Sequence, residues 1–531
     1  MKKKIIKIIF CMLMSFVIVL PVTGNLIKNN TQNISRIDID WEKTYGSDLI
    51  DWGNCIQQTS DGGYIISGTY NRNAWSLWYS HFYLIKIDSE GNEEWNKIYG
   101  LLNSEHVAKN IQQTTDGGYI IAGYQGVTYQ YDAVVQKTDS TGNILWENTY
   151  GDANAYDTAQ YVSQTSDGGY IVTGMTNSYG SLSSDILLLK IDSTGNQEWI
   201  KTLGGSDQDA GYCVRQTSDG GFIIVGETDS YGDNGDVFLV KTDNLGNEEW
   251  NQTFGGNEWD CGHSVQQTTD DGYILCGWYK NDMYDSDVYL IKTDDLGNEE
   301  WNKKFGDVEY DEGQCVMQTS DGGYFITGIY TDTVNLDTDV YLIKTDSSGI
   351  EEWSEIFDNG DTEDVGYFGI ETSDGGFIAT GYTGFYMEET LDVWVIKLKE
   401  SGSNQAPNAP SINGEVNGEF GTEYNYTFSA TDPDGDDLYY YIEWGDDNVE
   451  DWIGPYESDE ELVLGHTWNE KGNYIIKAKV KDTFDVESNY TTLEISMPVN
   501  KPIIGDRFPI IQTILELFPN AFPILRYLFG L

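Results

Sequence analysis

Acidic side chains are the most numerous groups in this chain that could do chemistry. Its 531 residues include 87 Asp and Glu against 30 Lys and Arg, a formal net charge of −57. Four of the acids fall within six residues, at Asp432, Asp434, Asp436 and Asp437. Clustered carboxylates in a flexible loop suit Ca²⁺, whereas Asp-Gly turns also form without metal. These four residues are predicted to bind calcium, and no other cofactor is expected.

Aromatic side chains in two polar loops form the second candidate site. Trp75, Trp78 and Tyr79 share one loop, and Tyr129 stands in another. Exposed aromatic rings stack on sugars or anchor protein partners, although loop aromatics also pack on neighbouring structure. The four residues are predicted to bind a ligand, with a glycan or a surface protein as the partner.

The remaining reactive groups predict no catalytic site. The four His, at positions 81, 106, 263 and 466, share no spacing that would pair them, and among 87 acids chance pairs are expected. Cys55, Cys213 and Cys315 occupy equivalent places in different repeats, where a disulfide is out of reach. They are predicted to be small buried thiols, as are Cys261 and Cys276. The sequence therefore predicts a protein that is not an enzyme.

A repeated sequence motif predicts the β-strands that position these residues. Gln-Thr-(Ser/Thr)-Asp-Gly-Gly-(Tyr/Phe), or a close variant, returns seven times, with its Asp at Asp61, Asp116, Asp167, Asp219, Asp270, Asp321 and Asp374. A period of about 50 residues that carries several short strands is typical of a β-propeller, one blade per repeat. The Asp-Gly-Gly triplet is predicted to form the hairpin between the first and second strands, with positive φ at its glycines.

A recurrent Trp on the fourth strand indicates how the ring closes. Trp41 begins such a strand before any first strand, whereas the last third strand, at 392–399, has no fourth strand after it. The N-terminal strand is therefore predicted to complete the last blade, which removes the free sheet edges. The prediction is an all-β chain with a seven-bladed propeller over 37–400, closed by an N-terminal strand.

The repeat resembles the Asp-Gly-Gly-Tyr propeller repeats of secreted bacterial and archaeal proteins. That resemblance covers 37–400 and implies a scaffold, while activity has to be argued from a site. After a linker at 401–410, residues 411–498 alternate in the manner of a small β-sandwich. Segments 430–437 and 471–482, with Trp-Gly-Asp at 444–446 and His-Thr-Trp at 466–468, resemble the PKD (polycystic-kidney-disease-type) Ig-like module. That resemblance implies a spacer or adhesion unit.

The two ends of the chain carry localisation signals. Three Lys, an apolar run at 8–20 and small residues up to 24 are typical of a secretory signal peptide over 1–24, followed by a linker at 25–36. Residues 499–531 form a hydrophobic tail that Pro509, Pro519 and Pro523 interrupt. The tail is predicted to be an anchor or sorting signal that contacts a membrane or sorting machinery, with packing on the sandwich as the alternative.

Together these features predict an exported cell-surface or secreted protein. Its strong negative charge repels nucleic acid, so no nucleic-acid partner is expected. The leading hypothesis is a binding or adhesion protein whose propeller engages a glycan or another protein. The alternatives are an extracellular polysaccharide hydrolase or lyase with a propeller catalytic domain, and a structural component of the cell envelope.

Overall fold

The structure is a computed structural model that describes residues 35–497. Within that range it omits 48, 72–79, 101–103, 128–129, 153–154, 180–182, 233, 283–284, 308, 332–336, 361 and 386–389. Every regular element that it describes is a β-strand, which confirms the all-β prediction.

In the described part of the chain, no helix has the length and apolar character that crossing a membrane requires.

Seven four-stranded antiparallel sheets follow one another along the first four-fifths of the chain. The first three are β2 (Asp51–Gln58), β3 (Tyr64–Asn71), β4 (Ser80–Ile87) and β5 (Glu93–Tyr99); β6 (Glu105–Gln113), β7 (Tyr119–Val127), β8 (Gln130–Thr138) and β9 (Ile144–Tyr150); and β10 (Asp157–Gln164), β11 (Tyr170–Thr176), β12 (Asp185–Ile191) and β13 (Gln197–Leu203). The next three are β14 (Asp209–Gln216), β15 (Phe222–Thr228), β16 (Asp236–Thr242) and β17 (Glu248–Phe254); β18 (Cys261–Gln267), β19 (Tyr273–Asp282), β20 (Asp285–Thr293) and β21 (Glu299–Phe305); and β22 (Glu312–Gln318), β23 (Tyr324–Thr331), β24 (Thr338–Thr345) and β25 (Glu351–Phe357).

The seventh sheet joins the two ends of this region. It consists of β26 (Glu363–Glu371), β27 (Phe377–Phe385) and β28 (Thr390–Ser403), with β1 (Ser35–Tyr45) as its fourth strand. Trp41 of β1 faces Lys397 of β28, as Trp250 faces Lys241 in the fourth sheet. First strands of neighbouring sheets contact one another all the way round, including β26 with β2. The sheets therefore form a closed β-propeller, in which β1 closes the ring.

The repeated string builds a turn around a buried lysine. In the fourth sheet, Asp219 Oδ1 accepts hydrogen bonds from the Thr217 hydroxyl (2.5 Å) and the Gly221 N–H (2.9 Å). Its other oxygen lies 2.8 Å from Lys241 Nζ, and the Lys241 side chain is only 4% exposed. Gly220 has φ +88°, whereas at Gly221 an added Cβ would lie 2.2 Å from the Thr242 carbonyl oxygen and 2.6 Å from Lys241 Nζ. Only the first glycine is thus needed for positive φ; the second lets the hairpin lie close to the third-strand backbone and its lysine, which corrects the prediction for that position.

Every sheet buries such a lysine on its third strand. The seven are Lys86, Lys137, Lys190, Lys241, Lys292, Lys344 and Lys397. In five sheets the lysine also pairs with a Glu at the second position of the fourth strand, as Lys241 does with Glu249 at 3.0 Å. The fourth-strand Trp packs on the next sheet, so that the Trp250 ring lies 5.9 Å from that of Tyr273. These repeated contacts hold neighbouring blades together.

Residues 411–497 fold into two further sheets. One contains β29 (Ser411–Asn413), β30 (Glu423–Ser429) and β33 (Leu462–Thr467); the other has the order β32 (Val449–Tyr456), β31 (Leu438–Glu443), β34 (Gly472–Lys481) and β35 (Thr491–Met497). The core between them includes Trp444 and Trp468, both fully buried. His466 stacks on Trp444 at 4.5 Å and lies 2.9 Å from Asp446. The Trp-Gly-Asp and His-Thr-Trp segments therefore meet in one cluster.

Candidate functional site

A β-bulge in the first strand of every sheet forms the candidate site. Pairing between the first and second strands skips one residue, for example between Gly211 and Cys213 in the fourth sheet. The skipped residue takes no part in the ladder, and a bulge re-aims its side chain. The residue before it is Gly in five sheets and Ala in two. At Gly211 an added Cβ would lie 2.4 Å from the Thr173 hydroxyl of the neighbouring sheet, so the close approach of the sheets there favours Gly.

The seven bulged residues differ from sheet to sheet, and we call them the bulge ring. They are Asn54, Lys109, Gln160, Tyr212, His263, Gln314 and Tyr367. All seven line one cavity of about 340 Å³ in the channel. Each stands seven residues before the repeated Asp. The blades therefore place seven half-buried polar or aromatic side chains around a single space.

His263 is held in one tautomer. Its Nδ1 lies 3.1 Å from the Gly313 carbonyl oxygen, which can only accept, so Nδ1 carries the proton. Burial lowers the pKa of His263 to about 4, and the charge of Lys109 adds to this effect against the Gly313 hydrogen bond. The imidazole is thus neutral near pH 7, and its Nε2 carries a lone pair. Such a nitrogen can accept a proton from a ligand in the cavity.

Lys109 is the cation of the bulge ring. Burial lowers its pKa, against the opposing effect of the Glu105 carboxylate. None of the described residues that line the cavity is Asp or Glu, although the chain has 87 acids. The cavity is therefore a cationic and neutral space inside a strongly acidic protein.

Two carboxyl groups stand directly behind the bulge ring. Glu227 accepts a hydrogen bond from the Tyr212 hydroxyl (3.0 Å), and Glu312 accepts one from the Gln314 amide (2.9 Å). Burial raises the pKa of Glu312 and, against several hydrogen bonds, that of Glu227. Both therefore favour the protonated form more than an exposed Glu does, and they orient the ring residues that they touch.

Two further cavities adjoin the bulge-ring cavity at Phe368. This residue lines the bulge-ring cavity, a second cavity of about 700 Å³ whose lining includes the hairpin residues Ser218 and Gly220, and a smaller cavity. The Arg215 guanidinium lies 4.8 Å from the Tyr161 ring centre, and its buried Nε has no hydrogen-bond partner in the described structure. Arg215 lines the second and the smaller cavity.

Four aromatic residues were predicted to bind a ligand: Trp75, Trp78, Tyr79 and Tyr129. They lie outside the described residues, so their role in ligand binding stays a prediction. The sequence prediction did not include the bulge ring, because it placed candidate sites in loops, whereas the ring lies within the first strands. The signal was present in the sequence: position seven before the Asp changes in nearly every repeat, while Gly or Ala always precedes it.

The predicted calcium residues divide into two groups. Carboxylate oxygens of Asp432, Asp436 and Asp482 lie within 4.8 Å of one another, and all three residues are buried. Asp434 instead accepts the Gln405 N–H at 2.6 Å, and Asp437 is exposed. Asp482 was missed because it is 46 residues beyond Asp436 in the chain.

Two buried oxygen atoms without hydrogen-bond partners indicate whether the cluster of Asp432, Asp436 and Asp482 could hold a cation. Asp432 Oδ2 and Asn404 Oδ1 are buried without a hydrogen-bond partner in the described structure. Asn404 reaches the cluster, since its amide nitrogen donates to Asp482 Oδ2 at 2.7 Å. No described Lys or Arg forms an ion pair with Asp432 or Asp482. Buried carboxylates need a compensating charge, so the donor set fits a hard cation such as Ca²⁺.

All five cysteines of the described region are free and buried, as predicted: Cys55, Cys213, Cys261, Cys276 and Cys315. Burial raises the pKa of the Cys55 thiol to about 12 and that of Cys315 to about 11. Neutral buried thiols are poor nucleophiles. The cysteines therefore contribute packing, and Cys55, Cys213 and Cys315 also line the cavities.

No protein-family model matches the chain, and no curated protein matches it. Several solved structures do match the chain. The endo-arabinase of Bacteroides thetaiotaomicron is 11% identical and matches over 45% of this chain and 92% of its own, with a TM-score of 0.30. The bifunctional GH43-CE protein of Bacteroides eggerthii is 12% identical over 74% of this chain, with a TM-score of 0.26, and the chain spans about half (52%) of its length.

These findings contradict the prediction that the protein is not an enzyme, because both matched proteins are named as enzymes. That prediction is withdrawn. At this identity and score the likeness assigns no substrate to the chain. A third solved structure is the PKD domain of an M14-like peptidase from Thermoplasmatales archaeon SCGC AB-540-F20, with a TM-score of 0.18. It is 54% identical over 99% of its length and 18% of this chain, and by that identity the chain carries a PKD-like domain.

Proposed function

We propose that the protein is an exported enzyme, a hydrolase or a lyase, that acts on an extracellular polysaccharide at the bulge ring. The bulge ring carries this proposal, because there an otherwise regular propeller gathers in one cavity seven polar and aromatic side chains that differ between neighbouring blades. Convergent polar groups in a concave site, next to groups of shifted pKa, are the usual marks of an active site.

The cavity suits a sugar. Trp52 also lines it, beside Tyr212 and Tyr367, and flat aromatic rings stack on the apolar faces of pyranose rings. Amide groups of Asn54 and Gln160 offer both donors and acceptors to sugar hydroxyls. Its volume of about 340 Å³ falls in the range of small-molecule pockets.

A polysaccharide panel tests the proposal. Full-length protein would be incubated with neutral and acidic polysaccharides, and new chain ends would be counted by reducing-sugar release and by mass spectrometry of the products. We expect turnover on at least one polymer, and loss of that turnover when Tyr212 is replaced by Gln. The absence of any turnover across the panel, with binding retained, would refute the enzymatic function.

The remaining modules belong to the same proposal. Seven sheets are taken as the complete set of blades, and the PKD-like domain as an Ig-like spacer that displays the propeller. A calcium ion at Asp432, Asp436 and Asp482 would brace this spacer against Asn404 of the linker. Residues 1–24 as signal peptide, and the tail at 499–531 as an anchor or sorting signal, lie outside the described residues and would place the protein at the cell surface.

A further inference from the structure

The bulge ring holds groups that suit a specific reaction class. Hydrolysis of a glycosidic bond usually requires two carboxyl groups at the scissile bond, and no described Asp or Glu lines the cavity. Elimination at a uronic acid instead requires a base for the C5 proton, a cation or amide beside the sugar carboxylate, and an acid for the departing oxygen. His263, Lys109 and Tyr367 offer these groups within one cavity.

We propose that the bulge ring cleaves uronate-containing polysaccharides by β-elimination, a proposal that rests on the polysaccharide-active function above. The neutral His263 Nε2 removes the proton from C5 of the uronate. The Lys109 ammonium and the amides of Gln160 and Gln314 stabilise the negative charge that develops on the carboxylate. The C4–O bond breaks, and a C4=C5 double bond forms in the uronate.

Protons balance over one turnover. The departing oxygen receives a proton from the Tyr367 hydroxyl, the proton held on His263 is released to solvent, and the Tyr367 phenolate takes a proton back from solvent. Tyr212 serves as a positioning residue, because its hydroxyl already donates to Glu227 and its ring contacts His263 edge-on, with ring centres 5.4 Å apart. No oxidant, reductant or second substrate is required.

The overall charge of the protein opposes this substrate, and this gives the reaction a signature. A chain of net charge −57 repels a polyanion, while Lys109 attracts it only at short range. Salt screens the long-range repulsion more than a contact inside a cavity. The value of kcat/KM on a polyuronate is therefore expected to rise with added salt, opposite to the fall expected for a basic enzyme on an acidic polymer.

The product decides between elimination and hydrolysis. Full-length protein would be incubated with polygalacturonate, with alginate and with neutral arabinan, and the products followed by ultraviolet absorbance and mass. Elimination gives a conjugated unsaturated uronate that absorbs in the ultraviolet and is one water lighter than the hydrolysis product. We expect it from at least one polyuronate and not from arabinan. Hydrolysis products from any of these polymers would keep the proposed function and overturn the elimination.

The ring supplies its own matched variants. Glutamine already occupies the bulge in the third and sixth sheets, so His263→Gln and Lys109→Gln place a residue that this backbone accepts. His263→Gln is expected to lower kcat by about 10²–10⁴-fold, and Lys109→Gln to raise KM for the polyuronate as well as lower kcat. Unchanged thermal unfolding would show that both variants fold. Full activity of folded His263→Gln would overturn the elimination.

Discussion

The backbone N–H of Ser373 donates to Gln58 Oε1 at 2.9 Å, although the two residues are 315 positions apart. Five of the other six hairpins make the same bond to a Gln of the next sheet, as Ser218 does to Gln267 at 2.8 Å, and Ser320 instead donates to Glu371 Oε2 at 2.7 Å. The junction between the last and first blades therefore uses the same hydrogen bond as the ordinary junctions that have a Gln acceptor.

Replacing Gln58 by Ala should cost about 0.5–1.5 kcal/mol in the free energy of unfolding, because one inter-blade hydrogen bond is lost. Gln113→Ala is the matched control at an ordinary junction, where Gln113 Oε1 accepts the Ser60 N–H at 2.8 Å. Urea unfolding of both variants would check the expectation that their losses are equal. A loss for Gln113→Ala without one for Gln58→Ala would show that the closing junction is held differently.

Replacing the buried Lys241 by Met should destabilise the fourth sheet by about 1–3 kcal/mol, because charge-assisted hydrogen bonds to two carboxylates disappear. Lys137→Met is the control, since Leu145 stands where the other blade has its Glu and Lys137 pairs only with Asp116. Denaturant unfolding should show the smaller loss for Lys137→Met. Equal losses would mean that the half-exposed Glu249 contributes nothing.

The same lysine should govern acid stability. Although burial by itself raises the pKa of Asp219, hydrogen bonds from Lys241, Thr217 and the Gly221 N–H lower it to about 2. An unfolded Asp titrates near 3.9, so the folded carboxylate contributes stability above about pH 4 that is lost as the pH falls towards 2. Lys241→Met should lose less stability than the natural protein over this window in thermal unfolding. Parallel losses would contradict the assignment.

The Asp311 carboxyl group should make the stability of the protein change with pH in the direction opposite to Asp219. It is fully buried, and burial raises its pKa to about 7, against hydrogen bonds from the Asp307 and Thr331 N–H groups. The folded state then holds a proton that the unfolded state releases near pH 4, so stability declines as the pH rises from about 4 to 7, by at most about 1.4 kcal/mol per pH unit.

Asp311→Asn removes this titration. Urea unfolding at several pH values between 4 and 7 should show the variant gaining on the natural protein as the pH rises. A constant difference between the two across that range would contradict the raised pKa of Asp311.

Calcium should bind the PKD-like domain and stabilise it. Calorimetric titration of metal-free protein is expected to show one site, with thermal stability that rises with calcium concentration by mass action. Asp482→Asn should weaken binding strongly, because it removes a charge from the buried group. Asp437→Asn, at an exposed carboxylate of the same loop, is the control and should bind normally. Equal affinity in both variants would place the ion elsewhere.

The repeat predicted the sheets well because its Gly, Asp and Trp positions are fixed by turn geometry and inter-blade packing. It also indicated β1, since Trp41 keeps the spacing of a fourth strand. The sequence did not indicate that the lysines are buried, because a lysine that follows an apolar run, as Lys241 does, is typical of the exposed end of a strand. Asp482 escaped because only folding brings it to Asp432.

The bulge ring shows a different limit of sequence reasoning. A bulge shifts the strand by one residue, so simple alternation does not show that Tyr212 and His263 face the same space. Loops with aromatic residues, such as the one that contains Trp75, differ in length between repeats and were therefore predicted as sites. The bulge-ring positions differ between repeats only in residue type.

The bulge also separates stability from chemistry in this molecule. A residue that is left out of the ladder can be exchanged with little effect on the neighbouring strand pairs, and the chain itself tolerates five different residue types at this position. Recombining or substituting these seven positions should therefore alter what the propeller recognises while its melting temperature stays nearly constant. Such a frame is well suited to evolve new specificities one blade at a time.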